Sequence, residues 1–343
     1  MRVRDIGEFE LIGHLAETLG ALDRGPRLRV AIGDDAAAWD SPAGMTVLST
    51  DTMVEGVHFN RDRTSWRDLG WKAMAVNLSD VAAMGCSPGY SVVTLGLHGG
   101  LPVDGLKEMY LGMADACRRF GGAAVGGDVV RSPVFFVTVA MTGMAGDGDT
   151  PLLLRGAARP GDQVAVTGSL GGSAGGLRML AEGPVLDDKT GSYLRDAHNR
   201  PAPRVSEGAI LRRDGVLAAI DISDGLVADL DKLCEASGVG AVVRSGLLPV
   251  DARLKAAFPQ DWLSLALSGG EDYELLFTAP PRTMESAISA LEIPSAIVGD
   301  IVAAPRGVSV LDRDGRPVAV ERGGWDHFRD SPDPSRAGRQ DQA

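Results

Sequence analysis

Six times along this chain a carboxylate stands beside glycine or serine at the edge of an apolar segment. The clusters are Gly33-Asp34-Asp35, Ser49-Thr50-Asp51, Asn77-Leu-Ser-Asp80, Gly126-Gly-Asp128, Asp221-Ile-Ser-Asp-Gly225 and Ser268-Gly-Gly-Glu271-Asp272. Any one of them is ordinary, since aspartate before a helix caps it and Asp-Gly makes a turn. Together they are hard to explain as caps. Asp80 falls on an apolar helix face, where an unpaired carboxylate is expensive. Carboxylates that converge raise each other's pKa unless a cation joins them. Hard oxygen donors without a His/Cys cluster select Mg²⁺ over Zn²⁺, and Mg²⁺ held by few carboxylates usually means phosphate chemistry.

The apolar segments around these clusters set the expected elements. Strands are predicted over 28–32 and 45–50, and a helix over 66–84. The clearest helix is Val103–Phe120, where Leu106, Met109, Tyr110, Met113, Cys117 and Phe120 recur with the helical period. A β-branched and aromatic run predicts a strand over 134–142. The turn-rich stretch 144–151 is the expected domain boundary. Beyond it, strands are predicted over 163–167, 217–220, 239–243, 263–267, 273–278 and 296–298, with helices over 173–181, 225–236 and 283–291. The reading is an α+β chain: a domain at 1–145, a sandwich-like domain at 150–328 that completes the site, and a polar, disordered tail at 329–343.

Composition removes several function classes. A net charge of −12 argues against non-specific nucleic-acid binding, which rests on Lys and Arg neutralising phosphates. It leaves phosphorylated ligands open, because bound Mg²⁺ reverses the local sign. Cys86, Cys117 and Cys234 are far apart and form no zinc spacing, so they are expected as small buried hydrophobes in a reducing compartment. The N-terminus lacks an apolar leader, and the longest apolar stretch, 134–144, is too short to span a bilayer. A cytoplasmic protein with no membrane partner is expected. The phosphate loops of common kinases are missing. The glycine-rich segment 168–176 leaves two readings open: backbone N–H groups presented to an anion, or close packing of a helix.

Several motifs, in order, carry a resemblance. They are Ile32-Gly-Asp-Asp35, the run from Leu48 to Phe59 containing Ser-Thr-Asp and Gly-Val-His-Phe, the run from Lys72 to Gly85 containing Asn-Leu-Ser-Asp, Gly126-Gly-Asp128, Ile220-Asp-Ile-Ser-Asp-Gly-Leu226, the run from Leu267 to Phe277 containing Ser-Gly-Gly-Glu-Asp-Tyr-Glu, and Gly324-Trp-Asp-His-Phe328. From about Glu8 to Phe328 the chain resembles the thiamine-monophosphate kinase family. The wider superfamily includes aminoimidazole ribonucleotide synthetase, formylglycinamidine ribonucleotide synthetase, selenophosphate synthetase and a hydrogenase maturation protein. Another ATP-dependent synthetase of that superfamily is the alternative reading. The resemblance implies an aminoimidazole ribonucleotide synthetase-like fold whose N-terminal domain forms a homodimer through its sheet. It implies ligation of several Mg²⁺ ions by Asp35, Ser49, Thr50, Asp51, Asp80, Asp128, Asp221 and Asp224, and leaves the neighbouring Asp34 without a role. It implies ATP contacts from Tyr110, Gly127, Asp128, Arg155 and Ser223, although the spacing of Tyr110 equally suits a core position. It implies thiamine monophosphate contacts from His58, Glu271 and Trp325. The expected reaction is metal-assisted, in-line transfer from ATP to thiamine monophosphate without a general base.

Overall fold

The structure is a computed structural model that describes residues 2–19, 28–30, 38–39, 44–146, 150–303 and 307–320. Asp34, Asp35, Trp325 and the tail at 329–343 lie outside the described residues, as does part of the strand expected over 28–32.

The first half contains α1 (Val3–Leu19), β1 (Leu28–Val30), β2 (Ala38–Trp39), β3 (Thr46–Val54), α2 (Trp66–Ala83), β4 (Ser87–Leu97), α3 (Val103–Phe120), β5 (Ala123–Arg131) and β6 (Phe136–Met144). The sheet runs β3-β6-β4-β5, so β3 and β5 are its edges. Alternation along β3 turns Ser49, Asp51 and Met53 toward α2 and leaves Leu48, Thr50 and Thr52 exposed on the other face.

Helix α2 starts at Ser65, whose side chain accepts from the Asp68 N–H. It is buried on almost every side from Leu69 onward. It packs on α3 at backbone contact distance through two glycines. A Cβ on Gly70 would lie 1.7 Å from the Met109 carbonyl oxygen, and one on Gly112 would lie 1.9 Å from that of Arg67. Any side chain at either position would push the helices apart. Tyr110 lies in this core at 6% exposure, and burial raises its phenol well above the usual range. It occupies the core position its spacing allowed.

The second half contains β7 (Gln163–Thr167), α4 (Gly172–Glu182), α5 (Asp188–Asn199), α6 (Val205–Arg213), β8 (Ala218–Asp221), α7 (Leu226–Ser237), β9 (Gly240–Arg244), α8 (Ala252–Ala257), α9 (Trp262–Ser268), β10 (Leu275–Ala279), α10 (Pro281–Ala290), β11 (Ser295–Val302) and β12 (Gly307–Leu311). Its sheet order is β12-β9-β11-β7-β10-β8. The segment expected as a strand over 263–267 is the helix α9. Its apolar residues alternate in sequence because the short helix is wedged between two clusters. Leu263, Ala266 and Leu267 join the sheet core, while Trp262 and Leu265 pack with Leu254 and Phe258.

The halves share α2. Ala82 and Ala83, at its end, belong to a core built otherwise from the second half, including Leu211 and Phe277. A Cβ on Gly208 of α6 would lie 2.1 Å from the Ala82 carbonyl oxygen. Arg212, also on α6, donates to the carbonyl oxygens of Ala145, Thr150 and Pro151, across the stretch expected as the boundary.

Candidate active site

A cavity of about 910 Å³ opens where β3, the loop after it, α4, and the 223–224 and 268–273 loops meet. Beside it, carboxylates from both halves converge. Ser49 Oγ donates to Asp80 Oδ2, and Asp51 is hydrogen-bonded to Asp80 as well. Burial, reinforced by the Asp80 charge, pushes the Asp51 carboxyl up to about 7. Across the interface Ser79 Oγ donates to Asp221 Oδ2 at 2.8 Å. Asp221 is also raised to about 7, by burial first and by Asp80 second, with Arg155 pulling the other way. The adjacent residues Ser79 and Asp80 thus link the last residue of β8 to β3.

These donors are all oxygen, which is the chemistry of a hard cation such as Mg²⁺. Two of the acids hold protons near neutrality because they are buried and, second, because Asp80 is close by, and a bound cation would offset both effects. The donor chemistry therefore fits. Among the described residues, however, no three His, Cys, Asp or Glu side chains stand close enough to hold one ion.

The other expected residues are distributed around this cluster. Thr50 borders the cavity from the opposite face of β3, and its Oγ1 donates to the Val139 carbonyl at 3.1 Å. Ser223 and Asp224 border the cavity, and Asp224 is paired with Lys232. Gly127 and Asp128 stand on β5, the opposite sheet edge from Asp51, and Asp128 is exposed. Arg155 is exposed, in a short 3₁₀ turn. His58 lines the cavity, with its Nδ1 accepting from the Val54 N–H at 3.0 Å.

Comparison with known proteins gives this arrangement a lineage. Two family models match the chain: AIR synthase related protein, N-terminal domain, over residues 33–145, and AIR synthase related protein, C-terminal domain, over residues 159–312. The thiamine-monophosphate kinase of Escherichia coli (strain K12) is 40% identical over 332 residues, spanning 94% of this chain and 98% of its own. That of Bacillus subtilis (strain 168) is 36% identical, spanning 88% of this chain and 94% of its own.

This chain belongs to the thiamine-monophosphate kinase family.

Solved structures agree. The crystal structure of thiamine-monophosphate kinase from Stenotrophomonas maltophilia K279a has a TM-score of 0.78 at 34% identity, covering 91% of this chain and 98% of its own. AaThiL complexed with AMPPCP and TMP has a TM-score of 0.75 at 34% identity, covering 96% of this chain and 99% of its own. The expected family and α+β fold are both borne out, and the chain is a kinase-family enzyme.

Several carboxylates that shape this site were given no role of their own from the sequence. Asp229, fully buried on α7, accepts the N–H groups of Ser223, Asp224 and Gly225 at 3.0, 2.9 and 3.1 Å. It shapes the loop that presents Ser223 and Asp224. Buried Glu274 receives both Arg204 Nε and Nη2 at 2.5 Å and Thr167 Oγ1 at 2.7 Å. Asp272 accepts the Gly171 N–H at 2.6 Å and the Ser173 N–H at 3.1 Å. The glycine-rich segment therefore does present N–H groups to an anion, but the anion is the protein's own carboxylate. It packs closely too: a Cβ on Gly176 would lie 2.1 Å from the Leu194 carbonyl oxygen. The legible signal for Asp229 was its place four residues after Gly225, where a helix side chain reaches back over its own first turn.

Proposed function

We propose that this enzyme transfers the terminal phosphoryl group of ATP to the phosphate of thiamine monophosphate, giving thiamine diphosphate and ADP. The observation that carries this reading is the meeting of Asp51, Asp80 and Asp221, from both halves, beside a cavity large enough for a ringed substrate.

The acceptor phosphate has a second pKa near ~6 and is largely dianionic at neutral pH, so no general base is required. When bound, Mg²⁺ would neutralise the two polyanions and orient in-line transfer. Asp51, Asp80 and Asp221 would be shared among several such ions, together with Ser49, Thr50, Asp224, Asp128 and Asp35 as the resemblance implies. As ligands, Asp51 and Asp221 would have to be ionised, so binding of a cation would displace any proton they carry. Ser223, Arg155 and Gly127 are assigned to ATP, and His58, Glu271 and Trp325 to thiamine monophosphate.

Assembly bears on Asp128. Leu48, Val92 and Val130 are exposed apolar residues on strands of the four-stranded sheet, and β3 and β5 are its unpaired edges among the described residues. A two-fold homodimer through this sheet would cover them. Setting β5 of one copy beside β3 of the other would bring Asp128 toward Asp51. The proposed compartment is the cytoplasm; the cysteines are all buried and unpaired, and no described helix is long and apolar enough to cross a membrane.

Mass detection of products from thiamine monophosphate, ATP and Mg²⁺ tests the reading. Thiamine diphosphate with ADP is expected, and free thiamine should be a poor substrate. AMP as the nucleotide product would show pyrophosphoryl transfer and reject it.

A further inference from the structure

Lys72 is the most unusual side chain outside the assigned set. It is 2% exposed in the middle of α2, among apolar neighbours. A buried lysine needs a partner, since desolvation otherwise drives off its charge. Its Nζ lies 2.9 Å from Glu271 Oε2, an ion pair from the first half to the 268–273 loop of the second. The same oxygen lies 3.5 Å from His198 Nδ1. His198 is pushed down to about 4 by burial and then by Lys72, so it is neutral at physiological pH. Ser173 Oγ fixes that ring through a 3.1 Å hydrogen bond to Nδ1.

The loop is held in a conformation it would not choose alone. Glu271 has φ 66° and Tyr273 φ 49°, the left-handed region that side chains other than glycine avoid. The Glu271 N–H donates to the Ser223 carbonyl at 2.8 Å, and Asp272 is anchored on the start of α4. With Oε2 taken by Lys72, Oε1 of Glu271 has no hydrogen-bond donor among the described residues, and Glu271 lines the cavity.

From this geometry we infer that Lys72 is a positioning residue for substrate specificity: it fixes Glu271 so that Oε1 receives an N–H donor of the bound substrate. On the proposed function, on which this inference rests, the donor is the exocyclic amine of the aminopyrimidine. The charge balance favours the amine over the cationic thiazolium. The Glu271 charge already faces an ammonium at 2.9 Å, so the carboxylate offers a directed acceptor more than an uncompensated negative field. Lys72 also shares its helix with Ser79 and Asp80. Asp80 lies about 12 Å further along the axis at 1.5 Å per residue, and Val76 lines the cavity between them. One rigid helix thereby sets the spacing between the ring end and the phosphoryl end of the substrate.

The test is steady-state kinetics of the full-length enzyme carrying Lys72→Met, with Lys72→Arg and the double variant Lys72→Met/Glu271→Gln. Lys72→Met should raise KM for thiamine monophosphate about tenfold or more, with KM for ATP unchanged and kcat reduced less. Lys72→Arg should recover part of the loss. Without Lys72, burial dominates at Glu271, with only His198 and His58 nearby to oppose it and Asp272 and Tyr273 flanking it. The variant's KM should then climb as pH falls. An analogue with the amine replaced by hydrogen should lose affinity for the wild type and much less for the variant. If the single variant does not fold, the double variant removes the unpaired buried charge, and its KM should stay raised and level with pH. A wild-type KM in either variant overturns the inference. Wild-type enzyme that fails to phosphorylate thiamine monophosphate overturns the proposed function instead.

Discussion

At the acid cluster Asp51, Asp80 and Asp221 crowd together and, among the described residues, no lysine or arginine forms an ion pair with them, while Glu271, also at the cavity, has Lys72 built in at 2.9 Å. The outcomes are opposite. Burial and like charge raise Asp51 and Asp221 to about 7, whereas at Glu271 burial is outweighed by Lys72 together with His198 and His58, and the carboxyl falls below its ordinary value. Asp229 and Glu274 also have donors supplied by the chain itself, although at Asp229 burial still leaves the carboxyl above its ordinary value. The contrast separates acids that the fold completes from acids that only an external cation can complete.

Replacing one acid of each kind should break the enzyme in different ways. Asp80→Asn removes the charge shared by Asp51 and Asp221. Activity should fall by on the order of 10²–10³, while the melting temperature without metal stays level or rises. A lower melting temperature together with near-normal turnover would make Asp80 a structural cap. Asp229→Ala leaves three buried or half-buried loop N–H groups without an acceptor. It should lower stability by about 1–3 kcal/mol in urea unfolding. Unchanged stability would mean that solvent satisfies the loop.

The smallest effect is the pH dependence of the metal-free protein. The folded chain holds protons on Asp51 and Asp221 up to about 7, whereas an unfolded aspartate releases its proton near 3.8. Between those values the folded state binds more protons, so these groups make stability fall as pH rises. The melting temperature should drop by a few degrees from pH 5 to pH 8, and millimolar Mg²⁺ should flatten the slope. A slope of the opposite sign would remove the distinction between the two kinds of acid.

The uncompensated acids were the legible part of the site, because a carboxylate at the edge of an apolar run is conspicuous in sequence. Ser49, Asp51, Asp80 and Asp221 are brought together by the strand and helix ends that the hydrophobic pattern had already outlined. The partners that complete the compensated acids were harder to see. Lys72 and Glu271 are 199 positions apart, and nothing local couples them. His198 and Arg204 sit among ordinary surface-like residues until the fold buries them. Elements followed the same division. Val103–Phe120 and Gln163–Thr167 were readable to the residue, since one face or both are apolar. Helix α9 was not, because burial on two sides erases the helical period. Asp128 is a different case: a single chain leaves it on the edge opposite Asp51.

Helix α2 ends inside a core belonging to the other half, and Arg212 ties down both sides of the intervening turn. Those features make the stretch near 145–151 a joint that is bolted rather than hinged. Severing the chain between Ala145 and Thr150 would leave Ala82 and Ala83 facing water and Arg212 without the Ala145 carbonyl. Neither fragment should persist as a folded body, and heating the intact protein should produce a single cooperative melt. Substrates must then come and go by local movement of the loops around the cavity, because opening the two halves like jaws would dismantle the spine that holds Ser79 and Asp80 against Asp221.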